Sequence, residues 1–269
     1  MGNTLGNILG NTADTLKNRL KLITDKKEAQ NLLNMAESED FYVEECHDDK
    51  LNSLARRNLT YSANSISSID VNAAHSFINN VHLPMKLSEL GEINIIQLMP
   101  TADGGMPHTR PGNIICYPNL TFSETTLIHE LWHIHQRTFQ SYWINIFKKI
   151  GWTMWQGELP DKLEKARRYN PDTIDSPLWI FKDTWVPVPI FMDIMNPSIN
   201  NVEVWFYNPK GYHTRMIPDE LSYYYSGLRN IELEHPREIT AYMLSEHTKC
   251  KESIAFNDLI KAIGHTAII

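Results

Sequence analysis

Between Ser123 and Phe139 the apolar residues recur at helical spacing. Leu127, Ile128, Leu131 and Ile134 form one stripe, uninterrupted by Gly or Pro, and Thr121 and Glu124 stand in front of it at capping-box spacing. The pattern predicts an amphipathic helix there. Similar spacing predicts helices over 68–81, 140–149, 162–169 and about 255–263, with Asn170-Pro171 cutting off the third. Pro236, well suited to a first turn, opens another that runs to about Lys249. Near the start, Ala13, Leu16, Leu20 and Ile23 also fall on one face beside Lys17, Arg19 and Lys21. This predicts a basic amphipathic helix packed on the body of the protein, after a loosely ordered Asn/Gly repeat over residues 1–12.

Other stretches have no helical period. Ile93 to Met99 and Gly112 to Tyr117 are short, β-branched and apolar, and the Thr101 to Pro107 segment between them is turn chemistry. Strand, turn, strand and then the main helix suggests a sheet whose edge borders a cleft. From Ser176 to Tyr207 the chain is rich in Trp, Val and Pro, which favours strands, and Pro187 and Pro189 confine one of these to an edge. Glu37 to Asp49 is acidic and reads as a solvated loop. Residues 1–60 therefore read as a tail and helical appendage. Residues 61–269 read as one α+β domain with a Trp/Pro-rich insertion at about 150–230.

Composition narrows the classes. A net charge of −7 without a large basic block excludes a typical nucleic-acid binder. Three cysteines, Cys46, Cys116 and Cys250, are odd in number and lack C-x-x-C spacing. They suggest neither a disulfide framework nor a cysteine metal site. No apolar run approaches membrane-spanning length and the N-terminus is no signal peptide, so an intracellular location without membrane association is expected.

Candidate chemistry sits on the main helix. His129-Glu130-Leu131-Trp132-His133 spells H-E-x-x-H. Residues i and i+4 share a helical face, so the two imidazoles can grip one zinc ion. Glu130, about 100° further round, can reach a water there and act as general base. A catalytic zinc site needs a third protein ligand. Glu238 falls in the first turn of the Pro236 helix, with Tyr242 one turn on to offer a phenol to an oxyanion. Its rivals are His235 at the cap of the same helix, Glu158 and Glu164; His135, two beyond His133, points away from the metal face.

HELWHIHQR followed by EHPREITAY resembles the zincin metallopeptidases, in particular the gluzincin branch, whose third ligand is a Glu on a later helix. The resemblance implies a zincin-like fold: a small mixed sheet with an edge strand beside the active-site helix, and a later helix carrying the third ligand. It implies one Zn2+ per chain held by His129, His133 and Glu238, with Glu130 as base and a peptide or protein as substrate. It also implies that a strand near the active-site helix pairs with extended substrate, and Gly112 to Tyr117 is the natural match. His108 and Arg110, just upstream, and Tyr212 and His213 beyond Gly211 are further candidates for substrate contact. The alternative is a catalytically silent zincin-fold protein that binds or supports a partner. An intact Glu130 argues against it.

Overall fold

The computed structural model describes residues 16–44, 51–57, 59–119 and 123–264. The N-terminal repeat, the Thr121 capping position, Cys46 and His47 lie outside them. The chain is mixed α/β, with three small sheets among the described residues.

The sheet nearest the H-E-x-x-H helix has four strands in the order β1-β2-β4-β3. These are β1 (Leu20–Leu22), β2 (Ile93–Gln97), β3 (His108–Arg110) and β4 (Ile114–Tyr117). β1, β2 and β4 run parallel, and β3 returns antiparallel along β4. Successive side chains point to opposite faces of a strand. Accordingly Ile93, Ile95, Ile115 and Tyr117 pack into one core with Leu127, Leu131 and Ile134 of the motif helix. Ile96, Ile114 and Cys116 pack on the other face against Ala29, Leu33 and Ala36 of a helix at Lys26–Asp40. Burial on both faces explains why β2 and β4 read as nearly continuous apolar runs rather than as alternating ones.

Two expectations are corrected here. Leu20 and Ile23 do not continue a helix: Leu20–Leu22 is a strand in register with Ile93–Ile95. The Leu20/Leu22 alternation buries both side chains in the main core. Gly112 to Tyr117 does not supply an edge strand either. β4 has β2 on one side and β3 on the other, which leaves no free edge for a guest, and β3 takes the border position.

The Trp/Pro-rich region forms a β5–β6 pair (Trp152–Met154 with Trp179–Phe181) and a sheet of β7 (Val186–Phe191), β8 (Val202–Asn208) and β9 (Tyr212–Thr214). β7, which carries Pro187 and Pro189, lies at an edge of that sheet, where missing ladder donors cost nothing. Trp152 and Trp179 are buried in the same core as the motif helix, so this region is not detached from it. No helix among the described residues is long and apolar enough to cross a membrane.

Candidate metal centre

Two helices build the centre. The first, Glu124–Thr138, starts at Ser123, whose side chain accepts the Thr126 backbone N–H at 3.1 Å. Its apolar stripe is buried against the sheet, which fixes its rotation and turns His129 and His133 toward the second helix. That helix, Pro236–Ser245, has Pro in its first turn and His235 as its cap. His235 Nδ1 accepts the Arg237 N–H at 3.1 Å, and its Nε2 faces the Pro177 carbonyl at 3.3 Å.

Between the helices, three donor atoms converge. His129 Nε2 and His133 Nε2 are 3.0 Å apart, and Glu238 Oε2 lies 3.3 Å from the first and 3.5 Å from the second. An ion with tetrahedral bonds of about 2.0–2.2 Å spaces its ligands about 3.3–3.6 Å apart. The triangle therefore has the size of three tetrahedral ligands. It is the one group of this kind among the described residues. Neither His235, whose ring is committed to capping, nor Glu158 and Glu164, which border a separate depression, belongs to it. His135 is turned away and accepts the Trp143 indole N–H at 2.8 Å.

The donors are held in place from behind. Gln136 Oε1 meets His133 Nδ1 at 3.1 Å, so that imidazole presents Nε2 to the centre. The amide nitrogen of Gln136 reaches across to the second helix, donating to the Arg237 carbonyl at 2.9 Å and Thr240 Oγ1 at 3.0 Å. Asn170 Nδ2 donates to the other Glu238 oxygen, Oε1, at 2.8 Å, and also to Glu234 Oε1. Sequence reasoning missed both residues. Gln136 had a local signal, standing three residues after His133 on the helix, whereas Asn170-Pro171 read only as a helix terminator.

Electrostatics follow from this crowding. Burial disfavours a charged His133, but Glu238 and Asp172 outweigh it and push the imidazole up to about 9. Burial likewise works against an ionised Glu238, yet His133 and His129 hold its carboxyl well below the usual range. The cluster thus favours positive charge at its centre. Glu130 is different. It is 3 % exposed, and burial first, then the Asp172 carboxylate, raises it well above an ordinary carboxyl, with His133 only partly offsetting them. Its Oε2 is buried without a hydrogen-bond partner.

A cavity of about 430 Å3 opens beside the cluster, lined in part by Asp103, His108, His129, Glu130, Glu238 and Tyr242. The Tyr242 ring packs 4.4 Å from that of His129, and burial first, then Glu238, raises its phenol, so it stays a proton donor. His108 borders the cavity, but its ring is buried between the Tyr61 hydroxyl at 2.8 Å and the Met106 carbonyl at 3.1 Å.

The remaining substrate-contact expectations are corrected. Arg110 is 0 % exposed and is consumed by Asp40 and Glu37 of the Lys26–Asp40 helix, each at 2.7 Å. A buried guanidinium requires such partners, and here they tie the sheet to that helix. Tyr212 and His213 sit on β9, packed against Trp185 and Trp205, and do not line the cavity.

His235 carries a pH prediction of its own. Burial, then Arg237, lowers it to about 3, below the ordinary value it regains on unfolding. A folded-state pKa below the unfolded one gives stability that is complete above about 6.5 and is lost as pH falls toward 3, on the order of 1 kcal/mol per pH unit. Denaturant midpoints across this range should fall less steeply for His235→Asn, which can cap the helix without titrating. Equal slopes for the two proteins would reject the assignment.

Comparison with protein-family models, with curated proteins and with solved structures finds no match to this chain.

Proposed function

We propose that this chain is a zinc-dependent peptide-bond hydrolase with a zincin-like, gluzincin-type centre. The observation that carries the reading is the convergence of His129, His133 and Glu238 at tetrahedral ligand spacing, beside a buried carboxylate with one oxygen unpartnered. Two imidazoles and a carboxylate suit Zn2+ and leave a fourth position open. His129, His133 and Glu238 would hold the ion. When bound, it supplies Lewis acidity toward a carbonyl and lowers the pKa of water at the open position.

The chain's own residues supply the rest. Glu130 takes a proton from the attacking water and passes it to the leaving amine. Its burial favours proton retention, which suits the second half of that task, while a nearby cation favours the ionised form needed for the first. Tyr242, still protonated, donates to the oxygen on which negative charge develops. Gln136 and Asn170 fix the ligands so that no reorganisation accompanies the reaction. Glu130 itself is buried at the cavity wall, and that burial strengthens its interactions with the groups around it.

The test is metal removal. Full-length protein should contain about one zinc per chain and cleave members of an unstructured peptide library. Chelation should reduce cleavage by at least about a hundredfold, and stoichiometric zinc should restore it. Undiminished cleavage by metal-free protein would reject the reading.

A further inference from the structure

β3 lies at the border of the sheet beside the cavity, where an extended peptide would add as another strand. A guest strand needs the outward-facing N–H and C=O groups of every second residue. Along β3 the outward N–H is that of Thr109, and it is already donated to Asp172 Oδ1 at 2.7 Å. With a period of two, the neighbouring outward positions are 107 and 111. Both are proline and have no N–H to give. Every outward donor over residues 107–111 is therefore missing or occupied.

The occupation is built into the fold. The Thr109 hydroxyl donates to the same Asp172 oxygen at 2.6 Å, and Asn170 Oδ1 accepts the Asp172 N–H at 3.0 Å. Arg137 of the motif helix joins Thr109 to the residue before Asp172, donating to Thr109 Oγ1 at 2.8 Å and to the Pro171 carbonyl at 3.0 Å. Residues 170–172 thus form a strap whose first residue orients Glu238 and whose last caps the sheet edge.

We propose that Asp172 closes this edge, so that the cleft takes a short or flexible substrate segment by its side chains or a chain end and not as an added β-strand. The proposal rests on the peptidase reading for the word substrate, and on the strap alone for the closed edge. Recognition then falls on the cavity, whose 430 Å3 is of the size that seats a short peptide segment or another drug-sized group. Extended segments that depend on backbone pairing are excluded, and sequence preference resides in the group seated beside Glu130.

Two measurements on the zinc-loaded full chain test this. Amide hydrogen exchange at Thr109 should be slow in the wild type and in Asp172→Asn, whose side-chain carbonyl still accepts. It should accelerate about tenfold or more in Asp172→Ala. Fast exchange in the wild type, or no change in Asp172→Ala, overturns the closed edge. Peptides cleaved from an unstructured library are then resynthesised with single backbone N-methyl groups two or more residues from the scissile bond. Cleavage should change less than about twofold. Losses of about fivefold at alternate positions, the effect of one net hydrogen bond each, overturn the proposal. If no peptide is cleaved while Thr109 stays protected, the peptidase reading fails and the closed edge stands.

Discussion

Alanine at His129 or His133 should abolish stoichiometric zinc, and Glu238→Ala should weaken zinc binding markedly. Outer residues that merely orient a ligand typically contribute tenfold to a hundredfold in affinity, so loss of a ligand itself should exceed about a hundredfold. The geometry leaves no substitute: the triangle of 3.0, 3.3 and 3.5 Å contains the three donors, and no fourth His, Cys, Asp or Glu among the described residues joins them. Glu158→Ala and Glu164→Ala, which lie outside the donor cluster, should keep full zinc. Plasma mass spectrometry on dialysed protein, with circular dichroism to confirm folding, makes the comparison. Full zinc in both histidine variants would dismiss the metal centre.

Glu130→Gln should keep zinc and lose hydrolysis by about a hundredfold to ten-thousandfold, the usual worth of a general base. Glutamine has the same shape but cannot accept the water's proton. Stability should move the other way. Glu130 Oε2 is buried and unpartnered, and burial opposes its charge, so a neutral amide removes a desolvation cost. A variant that is inactive, zinc-replete and at least as resistant to denaturant as the wild type is the expected outcome. Near wild-type cleavage would place the base elsewhere. Loss of activity together with loss of zinc would make Glu130 a structural residue.

How much of this was legible in the sequence depends on the range of the interactions. The motif helix announces itself because Leu127, Leu131 and Ile134 all face one core. Pro236 fixes the start of the second helix locally, and with it the position of Glu238 in the first turn. β2 and β4 were legible as apolar runs, but their order was not, since β3 is three residues long and too short to show a period. β1 misled for the same reason. Leu20 and Ile23 fit a helical face, and only the pairing with Ile93, far along the chain, makes Leu20–Leu22 a strand. Arg110 looked available because its partners, Glu37 and Asp40, lay in a stretch that read as solvated, whereas the Lys26–Asp40 helix brings both acids onto the guanidinium. Asn170 could be found only once its neighbours in space, Glu234 and Glu238, were known.

The bridge from Gln136 to the Arg237 carbonyl spans 101 residues of chain. At a synthesis rate of about 5–20 residues per second, the two histidines leave the ribosome about 5–20 s before the carboxylate that completes their set. For that interval the nascent chain carries only two of the three converging donors, without the helix that holds Gln136 and through it His133. On the proposed function, a chain truncated before the Pro236 helix should hold zinc poorly and be inert as a hydrolase.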